Sequence, residues 1–248
     1  MTHEILQGSV SIVTGGGSGI GKAIARGLAD AGSKVTILGR TRERLDAAAT
    51  DIGHGVVPMV VDVAQEDEVQ EAFAEVLGHH DGRLDLLVNS AGAFQGARFD
   101  QVNLEDWQTV LDINVTGAFL CAREAFRAML AAERPGRIIN IGSISGSRAR
   151  HHSSPYTSSK HALWGLTQCI ALDGREFGIA ASCLNPGNTA VERRAHGAAV
   201  AGRDEGVEPL MDVEEVARLA LLMASVPPHV NLLEATMLPI EQDYIGRG

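Results

Sequence analysis

The chain has 248 residues, of which 45% are hydrophobic and 4% aromatic, and its formal net charge is −10. That length and apolar content argue against disorder and suit a globular α/β chain whose core rests on Val, Ile, Leu and Ala. The acidic balance argues against a nucleic-acid or anionic-membrane partner, and no apolar stretch reaches the roughly 20 residues needed to cross a bilayer.

In chain order, short apolar runs alternate with longer segments of helical spacing. The first run, residues 9–13, leads into Thr14-Gly15-Gly16-Gly17-Ser18-Gly19-Ile20-Gly21 and then a helical pattern over 20–31. A glycine turn between a strand and a helix lets a pyrophosphate meet bare backbone and the positive end of a helix dipole. The spacing is TGxxxGxG and not GxGxxG, so Gly15, Ser18, Gly19, Ile20 and Gly21 are candidate cofactor contacts. The second run, 34–38, ends on Gly39-Arg40, with no Asp or Glu. An acidic residue there would select NAD, whereas Arg40, with Arg42 as a second charge, fits the extra phosphate of NADP. NADP(H) is therefore the expected preference, with NAD(H) as an alternative.

The third run, 56–61, ends on Asp62-Val63, where a carboxylate can accept an adenine amino group or cap a turn. Residues 66–77 carry helical spacing. The fourth run, 84–88, ends on Asn89-Ser90-Ala91-Gly92, small enough to pass close to the ribose–nicotinamide half. A helical pattern fills 107–130, and Asn114 lies within it. The fifth run, 137–141, is followed by Ser143. Ser154-Pro155-Tyr156 predicts a helix start with Ser154 as N-cap and Pro155 at the first helical position. Tyr156 and Lys160 then share a face at i and i+4. A nearby ammonium favours a phenolate, so such a tyrosine can exchange a proton with an alcohol or alkoxide. Helical spacing continues over 162–177. Further runs at 179–184 and 232–238 bring the strands to about seven, in a doubly wound parallel sheet with helices on both faces. One domain over 1–248 is expected, with a lid-like insertion at about 188–211.

The residues from Thr14 to Gly21, with Asp62, Asn89–Gly92, Asn114, Ser143, Tyr156-x-x-x-Lys160 and Pro186-Gly187, resemble the short-chain dehydrogenase/reductase family, including its 3-oxoacyl-ACP-reductase-like members. The resemblance spans roughly residues 8–190. It implies a Rossmann-like sheet and a catalytic set of Asn114, Ser143, Tyr156 and Lys160. It implies that Lys160 also binds the nicotinamide ribose, that Asn114 supports a proton relay, and that Pro186, Gly187 and Thr189 lie along the nicotinamide. With the loop residues above, Asp62, Val63, Asn89, Ala91 and Gly92 complete the implied cofactor set. Ser90 stands where many members have Asn, Asn188-Thr189-Ala190-Val191 replaces the frequent PGxVxT, and the tail 238–242 lacks the common Asp-Gly-Gly. That tail is expected to pack differently or to reach a neighbouring subunit.

The expected activity is interconversion of a ketone and a secondary alcohol, with a small-molecule carbonyl or alcohol substrate. The alternative is a dinucleotide-binding regulator of the same fold without turnover. Epimerase or dehydratase chemistry usually comes with a longer chain in this superfamily. Arg148, Arg150, His151 and His152, with Arg193, Arg194 and His196, suggest a polar or anionic substrate. The adjacent histidine pairs and the absence of HExxH or zinc spacing leave no metal site expected. No GxSxG elbow is present. Segments 107–130 and 162–177 carry apolar or small residues on more than one face, which with the resemblance points to a homotetramer. Cys121, Cys169 and Cys183 form no CxxC pair, and Met1-Thr2-His3-Glu4-Ile5 has no basic stretch leading into an apolar run. A cytoplasmic location is therefore expected.

Overall fold

Alternation along the apolar runs has a direct structural consequence. In the computed structural model, which describes residues 6–191 and 209–244, each run forms a strand buried on both faces or at a sheet edge. The strands are β1 (Val10–Thr14), β2 (Lys34–Gly39), β3 (Val57–Val60), β4 (Leu86–Asn89), β5 (Gly136–Ile141), β6 (Ile179–Pro186) and β7 (Glu234–Met237). They form one sheet in the order β3-β2-β1-β4-β5-β6-β7, and every pairing is parallel. The order reverses between β1 and β4, and such a crevice at the carboxyl ends of strands is where open α/β sheets bind ligands.

Period-two geometry sends successive side chains to opposite faces. Val13, Val35, Ile37, Ile139 and Ile141 meet Ile24 and Leu28 of α1 (Gly19–Asp30), Leu45 of α2 (Arg42–Ile52) and, from a helix later in the chain, Val216, Ala220 and Met223. Val10, Ile12, Leu38, Leu87 and Ile138 meet Phe73 of α3 (Glu66–His79) on the other face, together with Leu120 and Met129 of a later helix. Among the described buried hydrophobic residues Phe73 is the one aromatic ring, so packing rests on aliphatic side chains.

The expected helix over 107–130 is a continuous rod with a widened turn. It comprises α4 (Leu104–Leu111), a π-helical segment at Asp112–Thr116 and α5 (Gly117–Ala131). Such π turns are frequent at functional sites, and this one carries Asn114. α6 (Ser154–Asp173) starts one residue earlier than its predicted signal. Its N-cap is Ser153, not Ser154. The Ser153 hydroxyl donates to Arg150 O (2.8 Å) and hydrogen-bonds Thr157 Oγ1 (2.9 Å) without capping a first-turn N–H, and Pro155 sits at the second helical position. After the segment expected to form a lid, Asp212 and Glu215 make a reciprocal capping box that starts α7 (Val213–Ser225). Most of that segment, including Arg193, Arg194 and His196, lies outside the described residues. Among the described residues, no helix is long and apolar enough to cross a membrane.

Candidate active site

The glycine turn is shaped by what lies against it. Thr14 Oγ1 accepts hydrogen bonds from the backbone N–H groups of Ser90 (3.1 Å) and Ala91 (3.0 Å), which draws the loop after β4 onto the loop after β1. Gly15 sits at φ +68°, and a Cβ there would stand 2.9 Å from Ala91 Cα. A Cβ on Gly21 would stand 2.4 Å from Gly15 O. Any larger residue at either position pushes backbone against backbone, so both glycines serve close approach. Gly17 differs, because its nearest neighbour would be 3.5 Å away and the residue faces an open cleft. Gly15, Gly17, Ser18, Gly39, Arg40, Arg44, Asp62, Val63, Ala91 and Gly92 line that cleft, beside the N-terminus of α1. Bare backbone and a positive helix end fit a dinucleotide's phosphates. Gly19 and Ile20 begin the helix, with Ile20 packed against the core beneath.

Two expectations change at the adenosine end. Arg42 points along α2 to Asp46 (3.7 Å) and is not among the cleft residues. Arg44 is, beside Arg40. The signal was present in the sequence as a basic residue four positions after Arg40, but only the turn into α2 decides which arginine faces the cleft. Asp62 lines the cleft while also acting as a turn former: its Oδ1 accepts from Ala64 N (3.1 Å).

Asn89 lies deeper than the residues after it. It is buried, donating to Ala118 O (3.1 Å) and Asn140 Oδ1 (2.9 Å), so it ties β4 to β5 and α5, while Ala91 and Gly92 face the cleft.

At the carboxyl end of β5 the candidate catalytic residues converge. Lys160 is buried and donates from Nζ to Ile141 O (2.7 Å). Its Nζ lies 5.5 Å from the centre of the Tyr156 ring. Phe94 packs on the same ring at 5.1 Å between centroids, tilted 59°. Asn114 reaches across from the π turn. Its Oδ1 accepts from Ala93 N (2.7 Å), and its Nδ2 donates to Ala93 O and Ser159 Oγ (both 3.0 Å). Ser159 Oγ donates to Tyr156 O (2.7 Å), so Asn114 locks the loop after β4 to the first turns of α6. Ser143 is buried, and its Oγ accepts from Ser145 N (3.1 Å).

Asn185 was not a candidate from sequence. Its Oδ1 accepts from Ser143 N (3.1 Å), its Nδ2 donates to Glu234 Oε1 (2.9 Å), and it thereby sets the height of the serine over the sheet. No local motif marks it, because its partners are 42 and 49 residues away. Pro186 ends β6, and Gly187 N donates to Met237 O (2.8 Å). Thr189 is buried, with Oγ1 donating to Gly187 O (3.1 Å). Of the basic run after Ser143, Arg148 donates to Tyr244 O (2.8 Å) and Arg150 NH1 approaches Asn188 Oδ1 (3.5 Å).

Two thiols are buried, Cys121 of α5 in the core and Cys183 beside Asn185. Burial pushes the Cys121 thiol up to about 12 and the Cys183 thiol up to about 11, in the latter against the pull of the Lys160 ammonium. The thiolate is the reactive form. Iodoacetamide at pH 8 should therefore leave both intact in the native protein, with the exposed Cys169 the one thiol open to it. Mass spectrometry checks this: two or more alkyl groups added before unfolding would be the contrary result.

The sequence model of the family described as short chain dehydrogenase matches residues 9–199. An uncharacterized oxidoreductase of Staphylococcus saprophyticus is 33% identical over 239 residues, covering 95% of this chain and 99% of that protein. One of Staphylococcus aureus is 30% identical with the same coverage. Among solved structures, a short chain dehydrogenase/reductase family protein superposes with a TM-score of 0.84 at 30% identity, covering 94% of this chain and 97% of that one. Serine dehydrogenase complexed with NADP+ gives 0.87 at 26%, covering 96% and 98%. A variant actinorhodin polyketide ketoreductase with NADPH gives 0.86 at 27%, covering 93% and 96%.

Proposed function

The chain belongs to the short-chain dehydrogenase/reductase family, and from that premise we propose that this NAD(P)-dependent oxidoreductase interconverts a ketone and a secondary alcohol with Tyr156 as general acid and base. The observation that carries the reading is the buried Lys160 ammonium beside the Tyr156 ring, at the strand ends next to a glycine-lined cleft. The nicotinamide, when bound, supplies or accepts the hydride. Tyr156 gives its hydroxyl proton to the oxygen that becomes the alcohol, or removes it in the reverse direction. Lys160 stabilises the negative charge left on the Tyr156 oxygen. Ser143 hydrogen-bonds the same substrate oxygen, and Asn114 holds the loop after β4 against α6 so that these groups keep their spacing. The cofactor lies along Gly15, Ser18, Gly19 and Gly21, past Ala91 and Gly92, to Pro186, Gly187 and Thr189. The reading concerns the reacting carbon and not the charge of the substrate; of the basic residues expected near it, Arg148 and Arg150 lie against Tyr244 and Asn188.

The test is a screen of ketones and secondary alcohols with both cofactors, following absorbance of the reduced ring. Turnover of at least one pair is expected. A protein that binds NADPH yet turns over nothing in a broad panel would be the regulator and not the enzyme.

The assembly belongs to the same reading. Phe119 and Leu130 on α5, and Ala162, Gly165 and Leu172 on α6, are exposed, and so are Leu222 on α7 and Leu233 before β7. Two self-complementary faces generate a closed tetramer with dihedral symmetry. Light scattering should give a four-chain mass, and a stable monomer at micromolar concentration would overturn it.

A further inference from the structure

The tail after β7 folds back over the strand ends. A turn from Gln242 N to Pro239 O (3.0 Å) brings Gln242 to the loop after β6, where its Oε1 accepts from Asn188 N at 2.8 Å. The seating is close: a Cβ on Gly187 would stand 2.4 Å from Gln242 Oε1 and 2.7 Å from Leu238 Cδ2. A side chain at Gly187 would have to displace the ends of Gln242 and Leu238, so the bare backbone there is what the tail rests on as it is seated. Two residues further on, the Tyr244 hydroxyl hydrogen-bonds Ser147 Oγ, and its carbonyl accepts from Arg148 NH1 (2.8 Å). The Arg148 guanidinium lies over the Tyr244 ring at 5.1 Å. Ser147 closes the short 3-10 turn that begins at Ser143.

We propose that residues 238–244 are a clasp across the substrate end of the site, in which Gln242 is a positioning residue for the nicotinamide-facing backbone of Gly187–Thr189 and Tyr244 anchors it to the loop carrying Ser143. The inference rests on the reading of this region as the nicotinamide half-site. It explains why the tail departs from the common ending of the family: the glutamine side chain fixes a loop whose own sequence also departs from the frequent pattern.

The mechanism of the clasp is local. Asn188 N–H donates to the tail, beside the bonds of Gly187 N to Met237 O and of Asn188 O to Met211 N, so the seated tail supplies one of the bonds that fix this loop. The adenosine end of the cleft, at Arg40 and Arg44, has no contact with the tail among the described interactions. Loss of Gln242 should therefore weaken what the nicotinamide half contributes and leave the adenosine half alone.

Calorimetry with NADPH and with 2′,5′-ADP, which carries only the adenosine half, separates the two; NADH with ADP is the matched pair. Gln242→Leu keeps the bulk and removes the acceptor, and should weaken NADPH about tenfold, the scale of one lost hydrogen bond, with 2′,5′-ADP unchanged. Gln242→Glu keeps an acceptor oxygen and should restore most of the affinity. Tyr244→Ala should weaken NADPH in the same direction. Unchanged NADPH affinity in Gln242→Leu overturns the clasp. Equal weakening of NADPH and 2′,5′-ADP also overturns it, because that is a general loss of structure. A wild-type protein that binds neither dinucleotide sinks the reading of the site itself, and the clasp with it.

Discussion

Replacing Tyr156 with Phe should lower kcat by about 10²- to 10⁴-fold, the range that a positioned general acid–base group contributes, and leave NADPH affinity within about twofold. The substitution is nearly isosteric. Phe keeps the ring that stacks on Phe94 at 5.1 Å and lies beside Lys160, and the Tyr156 carbonyl still accepts from Ser159 Oγ. The loss would therefore report the hydroxyl and not the fold, and an unchanged melting temperature provides the control. Stopped-flow measurement of ring oxidation in a single turnover places the loss in chemistry and not in product release. Near-normal turnover in Tyr156→Phe would remove Tyr156 from the proposed role. Lys160→Ala should be harsher, because it also takes away the ammonium that donates to Ile141 O and opens a cavity at the end of β5.

Strands and the glycine turn were legible because their signals are local. Alternating Val, Ile and Leu specify a strand with two apolar faces, and TGxxxGxG specifies a turn in which backbone meets backbone at Gly15, Gly21 and Ala91. The spacing of Tyr156 and Lys160 was legible for the same reason, since a helix fixes i and i+4 whatever surrounds it. What escaped is non-local. Asn185 supports Ser143 from another strand, and Gln242 reaches back 54 residues to Asn188. Arg42 and Arg44 are chemically alike, and only the rotation of α2 on the sheet turns one toward Asp46 and the other into the cleft. The shift of the N-cap from Ser154 to Ser153 has a similar origin. Either serine can cap a helix, and the backbone, which turns helical at Ser154, leaves Ser153 in the N-cap position without a side-chain cap bond.

A preference for NADP(H) is the second large effect expected, and its ground is charge at the end of β2. Gly39 adds no side chain to the cleft wall, Arg40 follows it, and neither Asp nor Glu occupies the strand end to repel a 2′-phosphate. The NADPH and NADP+ complexes of the two structural relatives point the same way for those proteins. We propose that Arg40 and Arg44 together receive the 2′-phosphate, Arg40 from the strand end and Arg44 from the first turn of α2. Arginine suits the role because its planar fork can donate two hydrogen bonds to one phosphate. A charge-assisted hydrogen bond contributes about 1.5–3 kcal/mol, so Arg40→Ala should reduce the ratio of kcat/KM for NADPH over NADH by about tenfold to a hundredfold. The change should come from KM for NADPH, since the ribose end is remote from the reacting carbon, and kcat at saturation should hold. Arg44→Ala should act in the same direction, whereas Arg42→Ala, which breaks only an exposed pair with Asp46, should leave the ratio where it was. Raising the salt concentration should narrow the wild-type ratio, because an exposed guanidinium–phosphate contact is screened. A wild-type protein that favours NADH, or a ratio that ignores Arg40→Ala, would place the selectivity elsewhere in the cleft.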